Sequence, residues 1–407
     1  MTLEEAKALD AADSLAFARE RFRLPEGVIY LDGNSLGALP VATPGALERV
    51  ASEEWGGSLI TSWNKHGWID APQRIAASLA PLLGAQRHEL LIADSTSVCL
   101  FKLLAAAVAA RLGRTTILSE RGNFPTDLYV AQGLVELMPG LRLRLVERDE
   151  LVNAMDDDTA VVFLTHVDFC SGERHDMHGL NAAAHAQGAL TLWDLCHSAG
   201  AIELALNADG CDLAVGCGYK YLNGGPGAPA FLFVAEHLQD QLRSPLPGWM
   251  GHAEPFAFDG DYRPAPGIAR FLTGTPSILA LAALEAGIAT FEGIAMAKIE
   301  AKSAALIDLF VAEVESRCPE LRLAGPRGAG LRGSQAGFIH RDGYPIMQAL
   351  IARGVIGDFR APDLLRFGFS PLYNRFEDAW RAAAALAEIV ATREWDQPRF
   401  HARQKVT

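Results

Sequence analysis

The chain has 407 residues, half of them hydrophobic, which is enough to bury a large core arranged as one large and one smaller domain. Its formal net charge is −13 and its sequence pI about 5.3, with no block of lysine and arginine, which argues against nucleic acid or an anionic membrane as a partner. The opening MTLEEAKALDAADS is acidic and amphipathic, unlike a secretory signal, and the longest nearly uncharged run (277–291) contains Glu285 and is too short to span a bilayer.

Residues 3–23 carry a helical pattern, and VIYLDGNSLGALP follows as a short strand and turn. Two helices, over 41–57 and 71–84, flank the aromatic stretch SWNKHGW. From residue 90 the runs ELLIAD, TTILSE, LRLRLV, AVVFLTHV, ALTLWD, DLAVGCG and APAFLFV read as strands, with helices between them near 98–112, 126–138 and 177–187. This alternation predicts an α/β fold with a mostly parallel seven-stranded sheet covered by helices on both faces. A loop region rich in proline, glycine and aromatics (244–276) leads to a helical stretch from 277 to about 317, with a break near Gly293. Beyond it AGFIH, VIGDF and LLRFGFS read as short strands and 345–353 and 376–392 as helices, a smaller α+β domain. The expected division is an N-terminal segment (1–60) packing with the small domain, a large domain (61–290), and a long linking helix with the small domain (291–407). The six cysteines, Cys99, Cys170, Cys196, Cys211, Cys217 and Cys318, show no CxxC spacing and read as reduced thiols of a cytoplasmic protein.

The chemistry concentrates in residues 191–227. One apolar run ends in Asp194, with His197 three residues on, and a later run delivers Tyr219 and Lys220 before a glycine-rich turn. Ligands of open α/β sheets bind at the carboxyl ends of strands. An amine and a carboxylate presented there suit an aromatic nitrogen cofactor: the amine forms a Schiff base and the acid keeps the ring nitrogen protonated. Burial at a strand end would also lower the Lys220 pKa and make its amine nucleophilic. A phosphate needs N–H groups and hydroxyls at a helix start, and Asp94, Ser95, Thr96 and Ser97 supply one; an ordinary N-cap would use the same residues. In NFPTDLYVAQGL, Phe124 offers a face for a planar ring, Pro125 opens a helix, and Thr126 and Asp127 occupy its first turn.

Together WDLCHSAG, GYKYLNGGPG, TSVCLFK and NFPTDLYVAQGL resemble the kynureninases, and the resemblance runs in order from LDGNSLG to LLRFGFSPLY. It implies the pyridoxal-phosphate-dependent aspartate-aminotransferase-like fold, pyridoxal 5'-phosphate as cofactor, and hydrolysis of L-kynurenine, or its 3-hydroxy form, to anthranilate and L-alanine in tryptophan catabolism. Lys220 would be the Schiff-base lysine that moves a proton from Cα, Asp194 the pyridinium partner, His197 a residue beside the cofactor, and Tyr219 the proton donor near the phosphate. Thr96 and Ser97 match the family's phosphate turn, although Cys99 stands where the family usually has Asn. By the same resemblance Trp249 and Thr275 reach the cofactor phosphate from a neighbouring subunit of a homodimer. Arg366 takes the substrate α-carboxylate, with a structural salt bridge to a domain carboxylate as its alternative. Asn34 and Ser35, and Trp63, Asn64 and His66, would line the substrate pocket; the first two could equally belong only to a glycine turn.

Two other patterns carry less. GGPGAPA (224–230) contains G-x-G-x-x-A but precedes a strand, outside the dinucleotide context. HVDFCSGERHDMH (166–178) gathers His166, Asp168, Cys170, His175, Asp176 and His178 without a standard zinc spacing, so no metal is expected, and Asp168 or Thr165 is a candidate to border the substrate instead. A cysteine desulfurase of the same fold would need a nucleophilic cysteine on a mobile loop near the C-terminal domain. Only Cys318 lies there, in what reads as a helix end. A non-catalytic α/β binding protein is the reading from another class, and the presence of Lys220, Asp194 and Arg366 argues against it.

Overall fold

In the computed structural model, which describes residues 1–258 and 260–403, the seven apolar runs form one sheet. Its strands are β1 (Leu90–Ala93), β2 (Thr116–Glu120), β3 (Arg142–Val146), β4 (Thr159–Thr165), β5 (Leu190–Asp194), β6 (Leu213–Gly216) and β7 (Ala230–Val234). Their order is β1-β7-β6-β5-β4-β2-β3; β7 runs antiparallel to both neighbours and every other neighbouring pair is parallel. The central strands β4 and β5 are buried at every residue, as helices on both faces require, which is why they read as continuous apolar runs. Edge strand β3 instead carries Arg142 and Arg144, charges that discourage further pairing. Helices α1 (Thr96–Ala110), α2 (Pro125–Leu137) and α3 (Met177–Ala186) follow β1, β2 and β4, so α1 and α2 begin just beyond the strands that precede them.

Helix α4 (Ile278–Ile288) and helix α5 (Met296–Arg317) meet at an 81° bend around Gly293, whose φ of +75° is the left-handed region that favours glycine. Among the described residues no single helix is long and apolar enough to cross a membrane. The second sheet is antiparallel, in the order β8 (Arg322–Leu323), β9 (Gln335–Ile339), β11 (Leu364–Gly368), β10 (Asp358–Arg360). It packs with α6 (Gly343–Ala352) and α7 (Phe376–Thr392) around a second core that includes Phe310, Phe338 and Phe367. The N-terminal segment serves both cores: Leu15, Ala18 and Phe22 join the first, Ala6 and Leu31 the second. Ile29–Tyr30 also pairs in parallel with Val355–Ile356.

Two expected helices are corrected. The pattern over 3–23 breaks after Leu3–Ala12, because Asp13 turns the chain: its carboxylate accepts from the Leu15 N–H (2.8 Å) and pairs with buried Lys302 (2.7 Å). The helix over 41–57 passes through a π segment, Val50–Trp55. There the extra residue per turn lets Glu54 turn inward, where it accepts from Trp68 Nε1 (2.6 Å).

Candidate active site

The carboxyl ends of β4, β5 and β6 open into a cavity of about 250 Å³, and Asp194 and Lys220 both line it. Asp194 ends β5, where its carboxylate accepts from the Cys196 N–H at 2.6 Å. Lys220 follows β6, its Nζ 5.9 Å from the centre of the Phe124 ring and 6.0 Å from that of Tyr219. The segment is pinned from outside: Gly37 N donates to Tyr219 O at 2.8 Å, and a Cβ on Gly37 would lie 2.4 Å from Lys220 O. A larger cavity, about 650 Å³, lies at the opposite, amino ends of β5 and β6 around Asp212 and His185, and no lysine lines it.

Thr96 and Ser97 enter the cavity from the first turn of α1. The capping bond comes from Ser95, which accepts from the Val98 N–H, so the Thr96 and Ser97 hydroxyls are not consumed by it. Free N–H groups and the positive end of the helix dipole meet there, the arrangement an anion needs. Asp94 of the expected cap takes another task. It has a φ of +42° and holds the fully buried Lys102 (2.5 Å), whose Nζ also donates to Phe271 O (2.8 Å).

Phe124, Thr126 and Asp127 form the facing wall, while Pro125 stands at the first position of α2 outside the lining. The wall is fixed by Asn123, whose amide donates to Ser119 Oγ (2.9 Å) and accepts from Thr165 Oγ1 (2.5 Å). Asp127 sits against Asp194 closely enough for the two carboxyls to share a hydrogen bond; burial, and then the Asp194 charge, push it well above the usual carboxylate range. Two buried acids facing one cavity call for a protonated partner between them. Tyr219 also lines the cavity, and burial with the neighbouring Cys217 raises its phenol, which therefore keeps its proton.

His197 lines the cavity as well, its Nδ1 2.7 Å from Gln335 Oε1 of β9. Phe169, which sequence reasoning passed over, packs edge-on against Phe124 with ring centres 5.1 Å apart. Arg366 lies behind Phe169 and is almost fully buried. Its Nη1 donates to Phe169 O (2.7 Å), its Nε to Asp358 Oδ1 (2.8 Å), and its Nη2 to Asp358 Oδ2 and to Ser35 Oγ (2.9 Å). The salt bridge expected as the alternative for Arg366 is thus present, with Asp358 as its partner. Asn34 completes the cluster: its amide nitrogen donates to Asp32 (3.2 Å) and its oxygen accepts from Arg366 Nε (2.9 Å).

Trp249 and Thr275 stand apart from this cavity. Trp249 packs on Trp63 (6.3 Å) and Phe256 (5.8 Å), while Thr275 is exposed and lines a separate cavity beside Asp94 and Ser95. The histidine-rich stretch disperses: His166 meets Ser198 (2.9 Å), His175 meets Glu120 (3.0 Å), and Asp168 accepts from Ser171 and Cys170. Cys318 is buried in the second core, its thiol pushed up to about 11 by burial, far from a nucleophile's environment. Gln335 left no local signal, since it meets His197 across 138 residues of sequence; Asp358 is the register partner of Arg366 on the adjacent strand, a pairing that becomes visible only once the strands are aligned, and Phe169 stands as one apolar residue inside a polar stretch.

Residues 299–386 match the family described as the kynureninase C-terminal domain. Over its whole length the chain is 50% identical to a kynureninase of Pseudomonas fluorescens and 51% identical to one of Burkholderia mallei (strain SAVP1), covering 100% of each. Among solved structures, an apo cysteine desulfurase from Thermococcus onnurineus NA1 superposes with a TM-score of 0.75 at 20% identity, over 93% of this chain and 98% of that one. The cystine C-S lyase C-DES with its product, cysteine persulfide, gives 0.78 at 17% identity, over 89% and 98%. At such identities these two likenesses speak for the fold alone.

Proposed function

The chain belongs to the kynureninase family, and from that premise we propose that this cavity hydrolyses L-kynurenine to anthranilate and L-alanine, with pyridoxal 5'-phosphate as cofactor. The observation that carries the reading is the convergence of Lys220, the Asp127–Asp194 pair and the Thr96 and Ser97 hydroxyls, which the helix cap leaves unused, on one cavity. That donor set fits the cofactor. Asp194 and Asp127 would hold a protonated ring nitrogen, the start of α1 its phosphate, and Phe124 the face of its ring. When bound, the cofactor supplies an electron sink for carbanion chemistry at the substrate.

The chain's own residues do the rest. Lys220 Nζ carries the proton that leaves the substrate Cα. Arg366 orients the α-carboxylate, with Asn34 and Ser35 holding the guanidinium from behind. Water adds to the γ-carbonyl carbon, the Cβ–Cγ bond breaks, and Tyr219, whose phenol stays protonated, gives a proton to the alanine fragment. The expected outcome is that the purified protein releases fluorescent anthranilate from kynurenine, and that Lys220→Ala loses both turnover and the visible absorbance of retained cofactor. Unchanged rate and spectrum in that variant would sink the reading, and sulfide release from cysteine would favour a desulfurase instead. Assays with kynurenine and 3-hydroxykynurenine side by side establish the preferred substrate.

We further infer a homodimer with sites shared between subunits. Support comes from the exposure of apolar residues such as Trp55, Ile60, Phe256 and Phe258, and from Trp249 and Thr275 standing away from their own chain's cavity. Six free cysteines support a reducing, cytoplasmic setting.

A further inference from the structure

The hydrogen bonds around His197 determine more than its position. Gln335 is buried on β9, and its Nε2 donates to two backbone carbonyls, Asp168 O and Phe169 O, each at 3.0 Å. A carbonyl oxygen only accepts, so these contacts identify the nitrogen end of the amide. Turning the amide over would set its oxygen against both carbonyls. The end facing His197 Nδ1 at 2.7 Å is therefore an oxygen, which also only accepts, and Nδ1 must carry a hydrogen. Asp194 and Asp127 line the same cavity, but the charges that weigh most on the imidazole are Lys220, beyond β6, and Arg366 and Arg360 of the small-domain sheet, all cationic. Burial and these charges hold the ring well below the usual histidine range, so it is neutral. A neutral imidazole with its hydrogen on Nδ1 has a bare Nε2.

We propose that Gln335 is a positioning residue that locks His197 in its Nδ1–H form, so that the ring offers the cavity a bare Nε2 as acceptor for a hydroxyl or protonated nitrogen of the bound ligand. Among the described residues Nε2 has no hydrogen-bond partner of its own. The lock is built from the small domain, and the same Phe169 carbonyl also accepts from Arg366 Nη1 at 2.7 Å. The tautomer of His197 and the seat of Arg366 thus share one loop.

The inference rests on the proposed function only for what Nε2 meets. Its test reads the tautomer itself: imidazole ¹⁵N chemical shifts in histidine-labelled protein, with and without cofactor, assigned by loss of the signal in His197→Gln. The wild type should show a neutral ring protonated at Nδ1. Gln335→Ala should release the lock, moving the hydrogen to Nε2 or averaging the two forms. Gln335→Glu, which keeps the size but adds a carboxylate, should shift the ring toward the doubly protonated form at neutral pH. A wild-type ring protonated at Nε2, or shifts unmoved in both Gln335 variants, would overturn the proposal. A protein inactive on kynurenine could still show the lock, and an active one could lack it, so the two readings fail separately.

Discussion

Arg366 donates through Nε and Nη2 to Asp358 and through Nη1 to the Phe169 carbonyl, so one buried cation serves the small domain's stability and the cavity wall together. Removing one member of a buried ion pair strands the other at a cost of about 3–5 kcal/mol. Arg366→Met should therefore lower the melting temperature strongly, and adding Asp358→Leu should recover most of the loss. If Arg366 also seats the substrate carboxylate, the double variant keeps a kcat/KM lower by roughly one to two orders of magnitude, in line with about 1.5–3 kcal/mol for a charged hydrogen bond. Recovered stability with recovered kcat/KM would confine Arg366 to the structural task. Asp32, in the same cluster, has its carboxyl raised from 3.8 to about 7, first by burial and then by the Asp358 charge. A raised folded-state pKa contributes stability that is complete below the unfolded value and is lost as pH rises toward the folded one. Asp32→Asn should remove that decline, so its melting temperature gains on the wild type between about pH 4 and about pH 8; a constant difference across that range would refute the assignment.

At the scale of elements, the close approach of the GNSLG turn to the Tyr219–Lys220 backbone admits only glycine at position 37, where a Cβ would lie 2.4 Å from Lys220 O and 2.7 Å from Asn223 Cα. Gly37→Ala should cost about 1–3 kcal/mol by overpacking and, by shifting the lysine segment, weaken cofactor retention on dialysis. Gly45→Ala, where a Cβ meets nothing within 4 Å, is the control and should keep both. Elements of this kind divide by how visible they are in the sequence. The central sheet strands were legible because strands buried on both faces must be largely apolar, and Asp194 and Lys220 stood out as charges at the ends of such runs. The helix over 3–23 was read too long because its periodicity continues past Asp13, while the turn depends on Lys302, almost 300 residues away. Gln335 was invisible for the same reason, a polar residue on a short strand until tertiary packing puts His197 beside it, whereas Asp358 lies eight residues from Arg366 and needed only the register of two adjacent strands.

The chain's own cavity lacks Trp249 and Thr275, and the proposed dimer with shared sites is open to a complementation test. Lys220→Ala and Trp249→Ala homodimers should each be impaired, while hybrids of the two should regain activity through the site that combines an intact lysine with an intact tryptophan. No recovery, with mixed dimers verified by mass, would place Trp249 outside the shared site. The order of the large sheet bears on how the chain acquires its shape in time. β1, which leads directly into the turn holding Thr96 and Ser97, is an edge strand whose sole sheet neighbour among the described residues is β7, the last of the seven in sequence. Until residue 234 has left the ribosome, β1 has no strand to join and α1 begins from an unanchored turn. The part of the cavity synthesised first therefore waits for the last of the seven strands, and a growing chain stalled before β7 should be unable to retain phosphate-bearing ligands however well its central strands have paired.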